Sequence, residues 1–174
     1  QIEYGGSYAE QQQSFNELLM ILILGGLFVF LVVLFLFKNI KISLSVLFIS
    51  VLGISGSILA LFLSKTPLNV GSYTGIIMII GIIGENSIFT IHKYLNEVNN
   101  ESKKRKITLA ISARLRPILM TVFSAIVALT PLALGIGTGA QMHQPLAIAV
   151  IGGFVFALPL LLIVLPTILL KIKI

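Results

Sequence analysis

The chain contains no cysteine among its 174 residues, which removes disulfide frameworks, thiolate metal sites and cysteine nucleophiles, and leaves the redox compartment undetermined. Charge is scarce too. Only 10% of residues are charged and 57% are hydrophobic, with a mean hydropathy of +1.07, against roughly 25% charge in a soluble domain. That composition excludes an ordinary soluble globule. No GxxxxGK[ST] phosphate loop and no HExxH pair occurs, and no catalytic or cofactor-binding residue is assigned. A charged leader followed by a short apolar stretch is missing as well: the chain opens on Gln1 with a polar segment, and reads as the carboxy-terminal piece of something longer.

What is present is a succession of long apolar runs. A hydrocarbon core about 30 Å thick needs about 20 helical residues at about 1.5 Å each, and five stretches qualify. The expected spans cover about 15–37, 42–64, 71–94, 117–135 and 145–170, after a polar connector at 1–14. "KNIK" forms a tight turn, Pro67 stops the second span, and "GTGAQMHQ" forms a glycine-rich turn. The segment at about 97–116 reads as a basic loop with an interfacial helix over Ile107–Leu115, preceding a fourth span that opens at Pro117. The fold class is therefore an all-α polytopic membrane bundle.

Lys and Arg are strongly partitioned. Lys38, Lys41, Lys93, Lys103, Lys104, Arg105, Lys106, Arg114, Arg116, Lys171 and Lys173 fall at one set of span ends, and Lys65 alone at the other. The positive-inside rule then puts the amino terminus outside and the carboxy terminus in the cytoplasm. It also accounts for the net charge of +6 without nucleic acid. "KKRK" suits anionic lipid headgroups better.

All six carboxylates are glutamates, and five of them, Glu3, Glu10, Glu17, Glu97 and Glu101, lie in polar segments or near span ends. Glu85 lies mid-span, where an ionised group costs several kcal/mol unless it is partnered or protonated, which makes it a candidate for proton exchange. At 100° per residue, Gly71, Thr74, Met78, Gly81, Phe89, His92 and Asn96 share its face, whereas Asn86 points about 100° away toward other neighbours. Gly71 with Gly75, and Gly81 with Gly84, would admit close helices. The bland alternative is a neutral, hydrogen-bonded packing glutamate. His92, near an interface, is a secondary candidate beside the simpler role of a capping or snorkelling group. Arg114 and Thr121 share a face of the fourth span, although the Thr121 hydroxyl has an alternative acceptor in the carbonyl one turn back. The four methionines are scattered, and packing is their usual role.

The segments "GGSYAEQQQSFNELL", "PLNVGSYTGIIMIIGIIGENSIF", "ARLRPILMT", "PLALGIGTGA" and "PLAIAVIGG" together resemble the carboxy-terminal membrane half of bacterial resistance-nodulation-division (RND) efflux transporters. The resemblance implies a proton-driven secondary transporter rather than an enzyme, multi-pass in the bacterial inner membrane. This chain would supply the last five of twelve spans, with its amino terminus periplasmic and its carboxy terminus cytoplasmic. Implied partners are the missing half and periplasmic domains of the same polypeptide, two further copies in a homotrimer, a periplasmic adaptor and an outer-membrane channel. The coupling ion would be H+, with no cofactor or bound metal. Matching by motif puts Glu85 where drug exporters carry a relay lysine, with Arg114 and Thr121 at the relay arginine and threonine and Asn86 beside them. Heavy-metal exporters have an acid at the first position but a lysine just after the Arg-Pro pair, where this chain has Ile118. The expected cargo is thus drugs or metal ions; a protein-export or lipid-transport subunit, or a non-transporting scaffold, are the alternatives.

Overall fold

Apolar side chains leave the backbone of these segments no polar partner but itself, so each long run closes its hydrogen bonds internally as a helix. In the computed structural model, which describes residues 6–96 and 102–171, the elements are α1 (Gly6–Phe37), α2 (Ile40–Leu63), α3 (Val70–Leu95), α4 (Lys103–Ala133), α5 (Ala140–Pro159), a π turn at Leu160–Val164, and α6 (Leu165–Lys171). Among the described residues, five helical units are long and apolar enough to cross a membrane, the last running from Ala140 to Lys171. The described residues contain no strand.

The helices alternate up and down. Asn39 caps α2 by accepting from the Lys41 N–H at 3.0 Å. Asn69 and Ser72 form a reciprocal capping box at the start of α3. At the corner between α4 and α5, Gln144 Nε2 donates to the Ala133 carbonyl at 2.9 Å, across a turn whose Gly135, Gly137 and Gly139 all have positive φ. That turn ends earlier than expected, because Ala140–Gln144 already belong to α5. At the other end of the bundle Lys103 Nζ donates to the Leu170 carbonyl at 3.1 Å, tying the start of α4 to the end of α6. The basic residues collect at that end. Lys173, Glu97 and Glu101 lie outside the described residues, as do Gln1–Gly5 of the expected connector, while residues 6–14 extend α1.

The expected break at Pro117 is absent, so there is no separate interfacial helix. Residues 103–133 form one helix, about 46 Å long by the helical rise, whose first turns reach beyond a roughly 30 Å core. Proline costs a helix one N–H bond and some crowding, but unwinding the chain within hydrocarbon would leave several backbone groups unpaired, each at several kcal/mol. Continuity wins. In the last span, Pro166 likewise cannot donate, and the register slips to the wider π spacing, with the Leu165 N–H bonding the Leu160 carbonyl.

Val46 and Ile49 of α2, Ile79 and Ile83 of α3, and Val150 and Phe154 of α5 are buried together at the centre. The α2–α5 crossing is close because both sides lack side chains: a methyl at Gly152 would stand 2.8 Å from the Gly56 carbonyl oxygen. Gly75 gives α3 the same proximity to α5, near Ala149 and the Leu146 carbonyl. α1 and α4 flank this three-helix centre.

Candidate functional site

α3 buries Ser72, Ile76, Ile79, Ile80, Ile83, Ser87, Thr90 and Tyr94. Counted at 100° per residue, this set centres about 180° from Glu85. The face read from the sequence is thus the outward one: Thr74, Met78, Gly81, Glu85, Phe89, His92 and Asn96 are all exposed, and Gly71 is half-buried. No hydrogen bond or ion pair reaches the Glu85 carboxylate from the described residues. Both glycines beside it behave as small residues should, but in different directions. Gly84 receives Val29 of α1, whose Cγ1 would lie 2.7 Å from an added methyl, while a methyl at Gly81 would meet nothing within 4 Å. Between α1 and α3 this leaves a groove of about 280 Å³, lined by Phe28, Val32, Gly81, Glu85, Ile88 and Phe89 among others.

Arg114 approaches the same flank from α4. Its guanidinium carbon lies 4.4 Å from the centroid of the Phe89 ring, one turn along α3 from Glu85. Its Nε is buried without an acceptor. Phe89 was legible only as a member of the Glu85 face; its partner on another helix was not. An exposed cation–π contact contributes about 0.5–1 kcal/mol and a desolvated one about 2. A double-mutant cycle of Phe89→Leu with Arg114→Gln, followed by thermal unfolding of the intact pump in detergent, is expected to return a coupling of about 1 kcal/mol. Strict additivity would mean that the contact contributes nothing.

The other expected members are occupied within their own helices. Asn86 is half-buried and donates from Nδ2 to the Ile82 carbonyl at 2.9 Å, which leaves its side-chain oxygen free as an acceptor. Thr121 is exposed, and its hydroxyl lies 3.0 Å from the carbonyl oxygens of both Pro117 and Ile118. His92 shares a side-chain contact with Asn96, whose Nδ2 sits 3.1 Å from Nε2 of the ring. The structure therefore brings Glu85, Phe89 and Arg114 to one flank, turns Asn86 inward, and joins none of them by a hydrogen bond. Two hydroxyls that the sequence did not single out, Ser57 Oγ and Ser87 Oγ, are buried without partners. No group of three or more His, Asp or Glu side chains suited to a metal ion occurs among the described residues.

Comparison with known proteins matches residues 1–173 to the model of the AcrB/AcrD/AcrF family. The chain is 31% identical over 165 residues to the cobalt-zinc-cadmium resistance protein CzcA of Cupriavidus metallidurans, covering 94% of this chain and 15% of that protein. It is 32% identical over 167 residues to the swarming motility protein SwrC of Bacillus subtilis, covering 95% and 16%. The crystal structure of a heavy metal efflux pump superposes with a TM-score of 0.80 at 33% identity, over 91% of this chain and 16% of the pump. The chain spans about a sixth of the length of these relatives. With the match running over nearly every residue, the chain belongs to the AcrB/AcrD/AcrF family, the RND efflux transporters.

Proposed function

We propose that this chain is the part of a proton-driven RND efflux pump that carries one side of its transmembrane proton relay. The observation carrying the reading is Glu85: a carboxyl at mid-span, on the face of α3 opposite its packing surface, with no partner from the described residues. Such a group is stable in a membrane only if it takes up a proton or meets a partner from outside this bundle. Alternating between those two conditions changes what α3 can dock against. That change is how a proton cycle would drive movement.

In this reading Glu85 is the proton-accepting group or its direct partner. The buried, unpaired Nε of Arg114 awaits an acceptor on the same flank, and the guanidinium tunes the charge there. The free oxygen of Asn86 and the lone pairs of Thr121 serve as acceptors in the relay, with His92 secondary at the basic end. The facing groups come from the missing half of the same polypeptide, within a homotrimer of the inner membrane that engages a periplasmic adaptor and an outer-membrane channel. The basic end faces the cytoplasm by the positive-inside rule.

Drugs and metal ions are the cargo classes. Two of the similar proteins are named for metals, which favours metal cations. Efflux-family membership favours export over protein-export, lipid-transport or scaffold roles. The test is transport by the full-length pump in sealed vesicles, with zinc or cobalt ion in one series and a lipophilic dye in another. Export is expected to follow an imposed pH gradient and fall to background when a protonophore collapses it. Export that persists without the gradient overturns the reading.

A further inference from the structure

The described bundle has a larger groove than the one at Glu85. It lies between α1 and α2, holds about 460 Å³, and is lined by Leu22, Gly26, Phe30, Leu44, Ser50 and Ile54 with their apolar neighbours. Ser50, its one polar residue, already donates to the Val46 carbonyl at 3.0 Å. Its occupant must therefore be apolar. The lining runs from residue 22 to 30 on α1 and from 44 to 54 on α2, a length of about 12–15 Å by the helical rise. That is about half of a roughly 30 Å hydrocarbon core, the reach of one leaflet.

The end of this groove nearer the tight turn is basic. Lys41 stands three residues before Leu44, about 4.5 Å along the helix, and Lys38 occupies the turn itself; both are exposed. Between Phe15 and Ser64 the only acid is Glu17, at the far end of α1. Lys38 adopts φ 48°, a left-handed backbone conformation that glycine takes freely and other residues take at a cost of about 1–2 kcal/mol. The turn thus holds an ammonium where glycine would be easier.

We propose that the α1–α2 groove seats an acyl chain of an anionic phospholipid whose phosphate is held by Lys38 and Lys41. An anionic headgroup near the surface gains from each lysine, and the chain fills apolar space that no side chain of the bundle occupies. The site is independent of the proton relay, since Glu85 faces the other side of α1, toward the α1–α3 groove.

The test uses the full-length pump, stripped of lipid in detergent and titrated with phosphatidylglycerol or phosphatidylcholine of identical chains, with retained lipid counted by native mass spectrometry. Phosphatidylglycerol is expected to be retained in preference, and the double variant Lys38→Gln/Lys41→Gln to lower its retention about tenfold. Gly26→Leu should displace the chain and lower retention of both lipids. A methyl there would meet only Leu47 Cδ1, at 3.9 Å, so the hairpin tolerates the change. Val51→Phe, at the exposed rim, repeats the test should Gly26→Leu not assemble. Equal retention of the two lipids by the wild type overturns the proposal. So does loss in the lysine variant with none in either groove variant, which would mean headgroup attraction alone. Retention unchanged in every variant overturns it as well.

Discussion

Glu85→Gln in the intact pump is expected to reduce proton-coupled export by about tenfold or more while the protein folds and inserts normally, because the amide keeps the shape of the side chain and removes its proton exchange. The separation of function from folding is what makes the variant informative. Glu85 lies on the outward face of α3, opposite Ile79, Ile83 and Ser87, and accepts no hydrogen bond from the described residues. Removing its charge therefore leaves the α2–α3–α5 centre as it is. A neutral amide of the same shape carries no charge that must be partnered in the bilayer, so thermal unfolding of the variant should stay close to the wild type. Glu85→Asp, which keeps a titratable group one methylene shorter, should retain part of the activity. The readout is paired: cargo flux and the proton flux accompanying it, in sealed vesicles. Unchanged flux and unchanged coupling in Glu85→Gln would sink the relay and restore Glu85 to a neutral packing role.

How far the sequence alone reaches depends on which residues compete for a position. The spans are visible because runs such as 15–37 and 42–64 admit no structure in lipid but a helix. The Glu85 face is visible because a rigid 100° step fixes it without knowledge of neighbours, and the exposed set on α3 follows that count from Thr74 to Asn96. Pro117 is different. In water a proline is read as a helix boundary, but here the surrounding hydrocarbon makes an interrupted helix costlier than one missing bond, and α4 runs through it. The π turn at Leu160–Val164 follows from the same competition at Pro166 and leaves no periodic trace. The Arg114–Phe89 contact needs the packing of α3 on α4, which no spacing within one helix encodes. Nor does spacing tell an inward Asn86 from an outward one: the 100° count separated it from Glu85, and only the Ile82 bond shows what it does there.

Gly152→Leu should be strongly destabilising, and Gly81→Leu on α3 mild. In lipid, helices gain no hydrophobic energy from meeting, so association depends on close contact between small residues. At Gly152 the neighbour at 2.8 Å from an added methyl is the Gly56 carbonyl, with the Ala60 methyl closer still. Backbone cannot rotate away as a flexible side chain can. Overpacking a core costs about 1–3 kcal/mol and occasionally more; here the whole α2–α5 crossing must separate, so a loss of about 3 kcal/mol or more is expected, read as a lower unfolding midpoint of the full-length pump in detergent. Adding Ala60→Gly to Gly152→Leu should recover part of that loss, since it removes one of the two clashes and leaves the carbonyl. At Gly81 an added methyl meets nothing, and the unfolding midpoint should not move. Yet Gly81 lines the groove beside Glu85, so a leucine there should obstruct whatever docks against that face and lower transport. Equal midpoints for the two leucine variants would mean that the α2–α5 crossing is not what holds the bundle together. A Gly81→Leu pump that folds and transports normally would mean that the outward face of α3 needs no close partner.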